Sequence, residues 1–146
     1  MYSGNFKDTI FILNMRIRMM RDTLRLNPSP EIFLERSLDD LTFIDRVLET
    51  FTESLLNNDN QYGVNGQHEQ VSNTEWQFNQ ALIDFSLDTN PFPINDYPEA
   101  QKQIIALRGR SNARRKTLEE NNAVQEVVQA ERIVSIAEMN GLLGGI

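Results

Sequence analysis

With 146 residues, 40% of them hydrophobic and 24% charged, the chain has the length and balance of one globular domain with a modest core. It contains no cysteine and a single histidine, His68, which excludes disulfides, thiolate metal sites, cysteine nucleophiles and any site needing two imidazoles. The net charge of -7 is unevenly spread: residues 1–26 carry five basic and two acidic groups, residues 27–99 two and fourteen, residues 100–146 seven and five, and the acidic middle opposes general affinity for nucleic acid.

The chain opens Met-Tyr-Ser-Gly-Asn-Phe-Lys-Asp, without the basic region and small-residue cleavage site of a signal peptide. No run reaches the length of a membrane span, so a cytoplasmic location without membrane insertion is expected. Phe6, Ile10, Leu13, Ile17, Met20 and Leu24 then recur at alternating steps of four and three, the seam of a helix packed lengthwise on another. Met15, Met19 and Met20 invite comparison with methionine-rich peptide-binding grooves, but methionines within a heptad stripe read first as core. Arg16, Arg18, Arg21 and Arg25 suit the second half of this helix, where cations meet the negative end of its dipole.

Asn27-Pro28-Ser29-Pro30 ends the first helix and starts a second, with Ser29 as N-cap and Pro30 at the first helical position. The second stripe is Leu34, Leu38, Leu41, Ile44, Leu48, Phe51 and Leu55. A break this short predicts an antiparallel helical hairpin. Residues 57–74 are polar and lack apolar periodicity, which predicts a mobile loop carrying an exposed His68. Ser72 and Glu75 have the spacing of a capping box, expected to open a third, shorter helix with an aromatic-rich face of Trp76, Phe78 and Phe85. That face reads first as core packed on the hairpin and second as an anchor for a partner peptide.

Residues 88–97 form a Pro-rich loop, with Thr89 to Ile94 extended because each proline disfavours helix in its predecessor. Asp96, Pro98 and Glu99 then cap a fourth helix, with Ile104, Ile105, Leu107 and Leu118 on its apolar side. From Lys102 to Lys116 there are six basic residues and no acid. This strip either pairs with the acidic middle of the chain or meets an acidic protein partner. Beyond it the apolar pattern thins, which predicts a helical domain over 1–131 and a flexible tail over 132–146 holding one amphipathic turn.

No catalytic constellation stands out. Adjacent acids such as Asp39-Asp40 diverge on a helix instead of converging on a substrate. Glu35, Asp39 and Asp45 read as a solvated acidic face, and no P-loop, nucleotide-fold or serine-hydrolase signature is present. The expectation is therefore no enzyme, no cofactor and no metal. A small enzyme with a carboxylate metal site on the Glu35–Glu49 face is the remote alternative.

The tail sequence Ser135-Ile136-Ala137-Glu138-Met139-Asn140-Gly141-Leu142-Leu143-Gly144-Gly145 resembles the short peptide with which bacterial flagellar motor switch proteins dock the phosphorylated chemotaxis response regulator. Ser135, Glu138, Leu142, Leu143, Gly144 and Gly145 match that pattern. Met139 and Asn140 replace its Ile-Asp pair, and the peptide sits at the opposite terminus. In size, acidity and helical pattern the rest of the chain resembles, in outline, the flagellar export chaperones of hook-associated proteins. Together these resemblances imply a protein-binding adaptor or chaperone of the flagellar or type III export apparatus, with flagellar or chemotaxis proteins as partners. In that reading Ser135, Glu138, Met139, Leu142 and Leu143 meet one partner, and Trp76, Phe78 and Phe85 a client helix. The alternative is a structural subunit of a helical homo- or hetero-oligomer, for instance a homodimer through the seam of the first helix.

Overall fold

A computed structural model of the chain describes residues 5–26, 29–57, 67–87 and 94–144, by backbone alone beyond Asn121. Four helices make up nearly all of it: α1 Phe6–Leu24, α2 Pro30–Asn57, α3 Gln67–Phe85 and α4 Pro98–Gly144. There is no strand among the described residues, and no described helix is long and apolar enough to cross a membrane. The fold is an all-α bundle.

The helix boundaries follow from local chemistry. Asn5 caps α1, its side-chain oxygen accepting from the Asp8 amide at 2.8 Å, which satisfies one of the four unpaired N–H groups of the first turn. Asn5→Ala should cost about 1 kcal/mol of unfolding free energy, measured by chemical denaturation with the slope unchanged. At the other end, the Arg25 amide bonds the Asp22 carbonyl, a tightened last turn that runs into the proline break. Helix α2 starts at Pro30 as the sequence predicts, with the Phe33 amide donating to the Ser29 carbonyl.

Long-range pairs set the directions. The Phe6 ring lies 5.0 Å from Phe51, and Arg16 meets Asp40 and the Phe43 ring, so α1 and α2 are antiparallel as expected. Thr74 donates to Asn14 and Arg21 pairs with Asp84, so α1 and α3 run parallel. Asn79 meets Ser111 and Asn112 while His68 meets Leu118, so α3 and α4 are antiparallel. The hairpin is not the tightest unit. Helix α1 packs mainly on α3, and α2 mainly on α4.

The expected stripes of α1 and α2 form the core: Ile10, Leu13, Ile17, Met20 and Leu24 from α1, and Leu34, Leu41, Ile44, Leu48 and Leu55 from α2 are buried. Val71, Phe78, Leu82 and Phe85 of α3 and Ile104, Leu107 and Leu118 of α4 complete it.

Several local expectations are overturned. Helix α3 starts at Gln67, not after residue 74, so part of the predicted loop is helical, and His68, Val71 and Thr74 are buried. Polar residues hid the pattern because the partner helices supply hydrogen bonds: His68 Nε2 lies 3.1 Å from the Leu118 carbonyl. Ser72 and Glu75 therefore sit within the helix rather than at its start. Ile94 is buried in a single 3-10 turn, Ile94–Asp96, rather than extended, and Ile105 points outward from α4. Residues 88–93 and half of the predicted loop, 58–66, lie outside the described residues. The backbone of α4 continues as helix to Gly144, where the sequence predicts a tail with one turn.

Candidate functional site

The aromatic residues of α3 do not share a face. Residues 78 and 85 are seven apart, two helical turns, and both point inward; residue 76 is about 200° from residue 78 around the axis and points outward. Phe78 and Phe85 are fully buried, Phe85 stacking on Phe33 at 5.7 Å, whereas Trp76 is 46% exposed. Trp76 lines a shallow groove of about 200 Å³ between α3 and α4 with Arg115 and Glu119. Of the three, only Trp76 is placed to touch a partner. The side chains of Ser135, Glu138, Met139, Leu142 and Leu143 lie outside the described residues.

The acidic face is also rearranged. Asp45 is buried rather than solvated, accepting from Arg114 at 2.6 Å and from Arg110 at 2.9 Å. Arg114 in turn grips Glu75 through two nitrogens, at 2.5 and 3.2 Å, and the Ser111 hydroxyl donates to the same carboxylate at 2.9 Å. Arg110 continues the chain outward to Glu49 at 2.6 Å. Thus α2, α3 and α4 are cross-linked by one polar ladder running from surface to core. Burial pushes the Glu75 carboxyl above its usual range, against the opposing pull of Arg114 and Ser111. Burial would lower Arg114, but its bonds to Glu75 and Asp45 outweigh this and raise it further.

These groups hold one another. Each carboxylate is engaged by arginine, and no group of three or more His, Asp or Glu placed to hold a metal occurs among the described residues. The basic strip of α4 is thereby partly resolved. Its Arg110 and Arg114 pair within the bundle, and Lys102 pairs with Glu99 on the surface.

The feature that sequence reasoning missed is the outer face of α1. The core seam takes Met20, but Met15 and Met19 lie off its phase and point away from the bundle. With Phe11, 64% exposed, Met19, 61% exposed, and Ile12 they form an apolar stripe at steps of four along the helix, opposite the seam. The signal was present in the sequence: α1 carries more apolar residues than one seam can use, and Phe11, Met15 and Met19 form a second row.

Beside this stripe, Asn14, Arg18, Arg21 and Arg25 recur at four, three and four along the flank that meets α3. Together with Asp22 they border a groove of about 550 Å³ closed on the α3 side by Asn73 and Gln77. Arg21 is held by Asp84 at 2.6 Å, whereas Arg18 and Arg25 make no ion pair among the described residues. On the opposite flank Arg16 lies over the Phe43 ring at 4.9 Å. The result is an apolar helix face edged by cations.

No protein-family model, curated protein or solved structure matches the chain.

Proposed function

We propose that the chain is a non-enzymatic protein-binding adaptor or chaperone, with the outer face of α1 as its docking surface. The observation that carries this reading is the row of Phe11, Ile12, Met15 and Met19, contiguous, exposed and bordered by arginine. Large apolar side chains gathered on the outside of a bundle leave water only by association. Methionine suits a surface that accepts more than one shape of client, because its unbranched thioether adapts to irregular neighbours. The cytoplasm of a flagellated bacterium, and the export apparatus within it, is the setting suggested by the likeness of Ser135–Gly145 to the switch-protein peptide. In that setting Leu142 and Leu143 make a second, weaker contact, contributing on the order of 3 kcal/mol before ordering costs.

Three baits test this in lysate of a flagellated bacterium: the full chain, the double variant Met15→Glu with Met19→Glu, and a deletion of residues 134–146. Bound proteins are identified by mass spectrometry and the contacts confirmed with purified components. The double variant should lose its client by at least tenfold while keeping its helical circular dichroism. The deletion should lose flagellar or chemotaxis proteins only. Identical partners on all three baits would overturn both assignments.

A further inference from the structure

Resting on the reading of α1 as a docking surface, we propose that its partner is an amphipathic helix that carries carboxylates along one flank, seated with that flank over the groove between α1 and α3. The length and the charge of the face both point there. Phe11 to Met19 spans eight residue steps, about 12 Å of helix, which matches two to three turns of a second helix laid alongside. One edge of this row is the groove lined by Arg18, Arg21, Asp22 and Arg25; Arg18 and Arg25 make no ion pair among the described residues, so with Asp22 counted and Arg21 held by Asp84 the lining keeps a net positive charge. These arginines are seven residues apart, about 10.5 Å, so carboxylates one heptad apart on a partner helix meet both. Arg21 lies between them and is already committed to Asp84, which leaves the outer two as the receiving pair.

The geometry also weighs against other occupants. Asp8 and Asp22 lie on the same side of α1 as the apolar row, one beyond each end. An anionic bilayer laid across this face would press on both, and on the acidic surface of neighbouring α2, whereas a helix seated on the row and running on to Arg25 passes only Asp22. In a second copy packed antiparallel about Met15, Asp8 would face Asp22 of the second copy twice, which places like charges together at both ends. A basic helix would meet Arg18 and Arg25 directly. The face therefore selects by repulsion as well as by attraction.

The test uses the full-length chain and two fluorescein-labelled synthetic helical peptides with the same leucine stripe, one with glutamates and one with lysines along a single flank. The two are compared by anisotropy at low and moderate salt. The glutamate peptide should bind at least tenfold more tightly than the lysine peptide, with the preference shrinking as salt rises. The double variant Arg18→Glu with Arg25→Glu should invert the preference, and Met15→Glu with Met19→Glu should abolish binding of both peptides. All four residues are exposed, and the circular dichroism of each variant confirms that it is folded. Equal binding of both peptides, lost on substituting the methionines, would overturn the acidic-flank assignment and leave the docking surface standing. If neither peptide binds, both fall. Flotation with phosphatidylserine vesicles, or a methionine-dependent dimer in light scattering, would in that event assign the face to a membrane or to a second copy.

Discussion

Arg114→Met should destabilise the bundle by about 3–5 kcal/mol, the largest loss expected of any single charged residue in the chain. Arg114 is the centre of the ladder: its three guanidinium nitrogens serve Glu75 and Asp45, and both carboxylates are as buried as the apolar core. Truncating it leaves Glu75 with only the Ser111 hydroxyl and Asp45 with only the exposed Arg110. The cost is that of one buried anion stranded without a cation and a second left with a half-exposed partner, more than the worth of one contact. For a domain of this size it corresponds to a fall in Tm of roughly 10–16 °C. Chemical denaturation followed by circular dichroism measures it directly. The companion variant Asp45→Leu, Glu75→Met, Arg114→Met should recover most of the loss, because a packed apolar set carries no desolvation cost. A single variant as stable as the parent would show that solvent reaches the ladder.

The same ladder has a pH signature. Glu75 has its folded pKa raised above the ordinary 4.5, so the folded state takes up this proton more readily than the unfolded chain does. The stabilisation linked to that proton is complete below about 4.5 and is lost as pH rises through the raised folded value. Arg114 opposes the rise, so its removal lifts Glu75 further, and the deficit of Arg114→Met should shrink on acidification. The difference between variant and parent, taken across pH, cancels the groups that Arg114 does not touch.

The ladder also explains what could and could not be read from the sequence. The seams of α1 and α2 were legible because a solvent-facing helix with one buried stripe repeats its apolar residues at fixed steps, and Leu13, Ile17, Leu41 and Ile44 do so without interruption. The seam of α4 was only half legible. Its buried positions are Ala100, Ile104, Leu107, Ser111, Arg114 and Leu118, a regular four-three alternation whose fourth and fifth members are polar. Pattern reading discards such positions, because an arginine counts as surface until its partners are known. Asp45, Glu75 and Arg114 are 30 to 69 residues apart in the chain, and only the tertiary fold brings them together. The start of α3 was missed for the same reason, since His68 and Thr74 enter the interior by bonding to Leu118 and Asn14. The docking face failed differently: the methionines were visible, but the phase of the seam decides their side. Met20 falls on it, while Met15 and Met19 do not.

Phe78→Ala, set against Trp76→Ala, should separate core from surface on a single helix. Phe78 is fully buried in α3, and the Arg114 guanidinium lies 6.0 Å from its ring centre. Removing the ring deletes apolar contacts and opens a cavity at the meeting of α3 and α4, at a cost of about 3–5 kcal/mol. It also withdraws the wall against which Arg114 is held, so part of the loss couples to the ladder. A double-mutant cycle with Glu75→Gln should return a non-zero interaction. Trp76, nearly half exposed, should change stability by no more than about 0.5 kcal/mol on truncation. Any effect of Trp76→Ala on client capture is therefore a surface effect at the groove it shares with Arg115 and Glu119. Equal destabilisation by the two substitutions would mean that Trp76 is inside and that α3 is rotated from the orientation seen. A large loss confined to Phe78 fixes the phase of α3, and with it the placement of Glu75 against Arg114.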